Sequence, residues 1–143
     1  MRTISFAALL ALLPLSGSAG STQAQPADSG KKEYLNSCAS CHGATGKGDG
    51  PNAKDLRHRP LDLTKLAKAN GGEFPLVRVF NVIDGRIEVV IHGPREMPIW
   101  GDVFRRDLTS RMPRGYMSPE MADAMGYIRI LEVIEYIMTL QGK

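Results

Sequence analysis

Cys38-Ala39-Ser40-Cys41-His42 contains both cysteines of this 143-residue chain and one of its three histidines. Two thiols three positions apart, followed at once by an imidazole, suit one chemistry well. The thiols can add across the vinyl groups of haem to form thioethers, and the histidine then lies close enough to bind the iron from one side. The other uses of a Cys-x-x-Cys pair fit less well. A thioredoxin-like redox pair needs a βαβ setting, which the flanking sequence lacks. A structural zinc site needs a second ligand pair; no further cysteine exists, and His58 and His92 lack the short spacing of a Cys2His2 site. A disulfide between residues three apart closes a very small loop and stabilises little.

The N-terminus has the layout of an export signal. Arg2 supplies a positive start, an apolar run follows from Ile4 to Leu15, and Thr22-Gln23-Ala24 offers a small-x-small cleavage site, with Ala19 as a second candidate. The expected organisation is a signal peptide over 1–24, a flexible leader over 25–28 and one domain over 29–143. An uncleaved anchor is the alternative, although the run is short for a spanning helix. Export and the haem motif agree with each other, because covalent attachment of this kind takes place outside the cytoplasm. The expected location is therefore the periplasm, without stable membrane insertion after cleavage.

The formal net charge is +3, which two haem propionates would bring close to zero, so charge makes no case for nucleic acid. Arg95, Arg105, Arg106, Arg111 and Arg114 cluster in sequence, diluted by Glu96, Asp102 and Asp107. They read either as a solvated loop or as a weak docking surface for an acidic redox partner.

A few elements must position the motif. A helix is expected from Ser29 to Cys41, with Tyr34, Leu35 and Cys38 on one face. Gly43 to Pro51 carries four glycines and reads as a loop. Asp62 can cap a short helix over 63–69 that ends at Gly71-Gly72, and Pro75 can open another that ends at Gly85. Residues 87–91 read as a short strand or an extended loop, and 92–117 as irregular. Ser118 and Pro119 start a final helix whose apolar stripe is Ile130, Val133, Ile134, Ile137 and Leu140. Met121, Met125 and Met138 fall on helical spacing and read as core filler. The expected fold is all-α: short helices wrapped around one covalently bound haem, whose burial they need for stability.

Over about residues 29–141 the chain resembles the class I cytochromes c, in particular the bacterial monohaem members. Gly30, Tyr34, Cys38, Cys41 and His42 match that family's first helix, and Glu135-Tyr136-Ile137 with Leu140 resembles its last. The resemblance implies that these helices cross, with Gly30 allowing close approach and Tyr34 packing near Val133 and Tyr136. It also implies that the carbonyl of Pro51 accepts the Nδ1–H of His42. Met97, in Arg95-Glu96-Met97-Pro98-Ile99-Trp100-Gly101, resembles the family's ligand loop and is the implied second axial ligand. Met112 and Met117 are competitors, then His92 and His58. Trp100 would cover the haem edge, and Arg57 and Arg95 could pair with propionates, though a surface role is as good a reading of either.

A closed His/Met coordination sphere implies a one-electron carrier that meets donor and acceptor proteins transiently. Two other readings remain at this point. One is a dedicated electron-transfer subunit of a larger periplasmic oxidoreductase. The other is a haem enzyme or gas binder with an open iron position, for which His92 and Glu96 are the nearby acid–base groups.

Overall fold

The computed structural model describes residues 26–87 and 97–142. The expected signal peptide, residues 88–91 of the possible strand over 87–91, His92, Arg95 and Glu96 lie outside the described residues. Among the described residues six α-helices carry the fold: α1 (Pro26–Ser37), α2 (Ala39–His42), α3 (Leu66–Ala69), α4 (Leu76–Asp84), α5 (Trp100–Arg111) and α6 (Pro119–Thr139). Short 3-10 turns stand at Ala53–Asp55 and Leu63–Lys65, and no strand occurs among the described residues. The architecture is all-α, as expected.

Helix α1 begins at Pro26, so residues 26–28 are its first turn and not a flexible leader. Proline suits that position because its missing N–H would have no partner there. The helix tightens at Cys38, where the amides of Cys41 and His42 both donate to its carbonyl, and α2 follows. The expected single helix to Cys41 is thus two, joined within the Cys-x-x-Cys segment.

The most extensive packing is between α1 and α6, the first and last helices. A Cβ at Gly30 would overlap the carbonyl oxygen of Glu132, so only glycine lets the two backbones approach this closely. One turn on, Tyr34 is fully buried; its ring centroid lies 5.1 Å from that of Tyr136, and its hydroxyl donates to the Gly43 carbonyl at 2.7 Å. Tyr34, Ile83, Phe104, Ile130, Val133, Ile134 and Ile137 form the core.

Helix α6 starts as its sequence suggests, with Ser118 Oγ accepting from the Met121 amide at 3.2 Å and Pro119 in the first turn. Its expected stripe is buried. Met121, Met125 and Met138 are exposed on its other side, with Ile128 and Leu131, so they do not fill the core.

Helix α5 occupies ground expected to be irregular. Ion pairs fix it as much as apolar contacts do. Arg129 of α6 donates to Asp107 of α5 at 2.9 Å and to Glu33 of α1 at 2.7 Å, and stacks on the Phe104 ring at 4.3 Å. Arg105 binds Asp84, Asp102 and Asp123. Arg105 therefore joins three helices and does not belong to a solvated loop.

Candidate cofactor site

The site is built where α1 hands over to α2. Cys38 and Cys41 are both free thiols and half-buried. Burial, with Glu33 and then Cys41 adding to it, pushes the Cys38 thiol up to about 12, so it is a neutral SH at pH 7. Burial likewise raises Tyr34 above the usual phenol range, which keeps its hydroxyl a neutral donor to Gly43.

The glycine-rich loop closes over the end of α2. The amides of Asn52, Gly50 and Gly48 donate to the carbonyls of Ser40, Cys41 and His42 at 2.8, 3.1 and 2.8 Å. A four-residue helix cannot satisfy its own last carbonyls, and this loop does so. The chain then returns across the loop, with Leu63 donating to the Gly46 carbonyl at 2.7 Å. Asp62 caps the 3-10 turn as expected, accepting from the Thr64 amide at 3.0 Å.

That return brings the Leu61 carbonyl to 3.3 Å from His42 Nδ1. Leu61 thus offers the ring an acceptor, where the resemblance implied the carbonyl of Pro51. Pro51 stands exposed in the turn whose neighbours Gly50 and Asn52 cap α2, while the residues after Pro60 pass beside the imidazole. A carbonyl on Nδ1 fixes the tautomer and strengthens Nε2 as a donor. The far end of the chain braces this arrangement. Gln141 Nε2 donates to the Leu63 carbonyl at 2.8 Å, its Oε1 accepts from Ala67 at 3.0 Å, and Gly142 donates to Thr64 at 3.0 Å.

The other expected residues divide. Met97 is half-buried and packs against the core, as does Trp100, the first residue of α5, whose ring centroid is 5.7 Å from that of Phe104. Met112 is 41% exposed beyond the end of α5. Met117 is half-buried just before α6, and Arg57 and His58 lie on the exposed loop before Pro60. Sequence reasoning missed Leu61, because a backbone carbonyl leaves no signature of residue type.

The residues fit covalent haem. Two free thiols and a histidine with one ring nitrogen already engaged sit together at the edge of an apolar core. Among the described residues no group of three or more His, Cys, Asp or Glu could hold a bare metal ion, so the zinc reading finds no second ligand pair there. No helix among them is long and apolar enough to cross a membrane.

An all-α chain with one such motif is a c-type cytochrome domain. Over residues 25–112 the sequence matches the family described as "Cytochrome C oxidase, cbb3-type, subunit III", and the chain belongs to that family of c-type cytochromes. It binds haem c covalently and serves as a haem-based electron carrier. The matched stretch runs from the start of α1 to the end of α5 and stops short of α6. No curated protein and no solved structure matches the chain.

Proposed function

We propose that this protein is a periplasmic one-electron carrier whose haem is attached through Cys38 and Cys41 and ligated axially by His42 and Met97. When bound, the haem supplies a ferrous–ferric couple. His42 would supply Nε2 to the iron while Leu61 holds its Nδ1. Met97 would supply a thioether, and thioether ligation favours the ferrous state. The core around Tyr34, Ile130 and Val133 excludes water and so raises the cost of the extra ferric charge. Trp100 covers the haem edge. Arg57 and Arg95 would supply cations for the propionates. The Leu61–His42 hydrogen bond carries this reading, because a carbonyl at Nδ1 of a buried imidazole makes Nε2 the ring's better metal donor. Met97 is favoured over Met112 by its packing against the core.

The test is the ferric absorption spectrum of the wild type and of Met97→Ala, Met112→Ala and Met117→Ala. A low-spin spectrum with the long-wavelength sulfur–iron band, lost only in Met97→Ala, is expected. A high-spin wild type that readily takes cyanide or carbon monoxide would overturn the carrier reading. The family's printed description, an oxidase subunit, favours a second reading as a dedicated electron-transfer subunit of a larger periplasmic oxidoreductase. Gel filtration of extracts from the native source separates the two: a haem signal at the size of the single chain supports the free carrier, and one that moves with a large oxidase supports the subunit. An N-terminal sequence beginning after Ala24 is the expected result for the mature protein.

A further inference from the structure

Asp84 is the one buried carboxylate among the described residues, 6% exposed, and it stands outside the haem-binding motif. It is the last residue of α4 and holds two guanidinium groups. Arg86 Nε lies 2.6 Å from one oxygen and Arg105 lies 3.2 Å from the other. Arg105 also holds Asp102 at 2.6 Å in its own helix and Asp123 at 3.4 Å in α6. A charge this buried needs such partners.

What lies against Asp84 is the start of α5. A Cβ at Gly101 would overlap the Asp84 carboxylate, so the α5 backbone rests directly on it. One residue beyond Asp84, Gly85 has a φ of +86°, and a Cβ there would come within 2.5 Å of Ile99 Cγ2. Ile99 and Gly101 are thus seated on the end of α4 by two separate close contacts. Met97 precedes Ile99 by two residues, a span of at most about 7 Å of chain, and Pro98 between them has a fixed φ. The freedom of Met97 is therefore limited by how firmly 99–101 is held on Asp84.

We propose that Asp84 and Arg105 form a buried latch that positions Met97, setting how easily its thioether leaves the iron. This rests on Met97 being the axial ligand. Asp84 lies outside the ligand set and is a positioning residue, acting through Gly101 and the segment before it. Arg129, which ties α5 to α1 and α6 through Asp107 and Glu33, makes no contact with residues 97–101 among its described hydrogen bonds, and it serves as a control for general destabilisation.

The experiment titrates ferric holoprotein with imidazole, following loss of the sulfur–iron band, in Asp84→Asn, Arg105→Gln, Arg105→Lys and Arg129→Gln. Unfolding by far-UV circular dichroism is recorded beside it. Asp84→Asn and Arg105→Gln should raise the apparent imidazole affinity by about tenfold, the scale of one buried charged hydrogen bond. Arg105→Lys, which keeps the charge, should fall between these and wild type. Arg129→Gln should lower the unfolding midpoint while leaving imidazole affinity within about twofold of wild type. Should Asp84→Asn not accumulate with haem, the two Arg105 variants carry the same test. If the latch variants lower the unfolding midpoint as Arg129→Gln does and leave imidazole affinity unchanged, the latch is structural only and the proposal falls. If the band survives in Met97→Ala, the ligation reading falls and takes the latch with it; a band lost in Met97→Ala with unaltered affinity in Asp84→Asn removes the latch alone.

Discussion

Gly30 shows how much a single missing side chain can decide. Its replacement by alanine would drive a methyl into the Glu132 carbonyl, and neither helix backbone can yield without disturbing Tyr34. Overpacking of this kind costs about 1–3 kcal/mol, and Gly30→Ala should sit at the upper end in denaturant unfolding of the holoprotein. Asp62 makes a pH prediction. The Lys65 side chain first, then Thr64, holds its carboxyl down at about 2. A depressed carboxylate contributes stability above its unfolded value, near 4, and that contribution is lost as pH falls towards the folded value. A wild-type protein titrated from about pH 4 to 2 should lose more stability than Asp62→Asn does, by a margin kept small because Asp62 is a quarter exposed. The cysteines, His42, Gly30 and Asp62 were legible because their roles require those residue types. Leu61 was not, because its role belongs to the peptide group and only the folded path brings that carbonyl to the imidazole.

At the scale of elements, α6 and α5 differ in what wrote them. Helix α6 carries a cap, an N-terminal proline and an apolar stripe, so its sequence announced it. Helix α5 has Pro98 before it, Gly101 in its first turn and Pro113 after it, and much of its inner surface is charged: Asp102, Arg105 and Asp107 all take part in ion pairs. A hydrophobic period could not reveal a helix that is fixed through charge. Arg129 is central to that fixing, with two carboxylates from different helices and an aromatic face beneath it. Arg129→Met should destabilise the holoprotein by about 1–2 kcal/mol in urea unfolding, between an exposed and a buried pair, because it leaves Glu33 only the Ser37 hydroxyl and Asp107 only the exposed Arg111. Arg129→Lys should recover little, since a single ammonium cannot bridge both carboxylates in the way a planar guanidinium does. The outward methionines of α6 were misread for a related reason. Helical spacing places residues on a common face without saying which face turns inward.

At the scale of the whole molecule, five of the six helices among the described residues have twelve residues or fewer, and two of these, α2 and α3, have only four each. Helices this short do not hold themselves together in water. A chain that cannot attach haem, Cys38→Ala with Cys41→Ala, should therefore lose most of its far-UV helical signal at 25 °C, whereas the holoprotein keeps it. The close seating of α1 on α6 has one more effect, on order in time. Tyr34 and Cys38 pack into the cluster that Ile130, Val133, Ile134 and Ile137 of α6 complete, and a ribosome makes α6 well after α1. Until those residues arrive, the first helix has no partner to close against. The thiols therefore stay open to haem attachment while the residues between α1 and α6 are being made, and the fold shuts over them once α6 has packed.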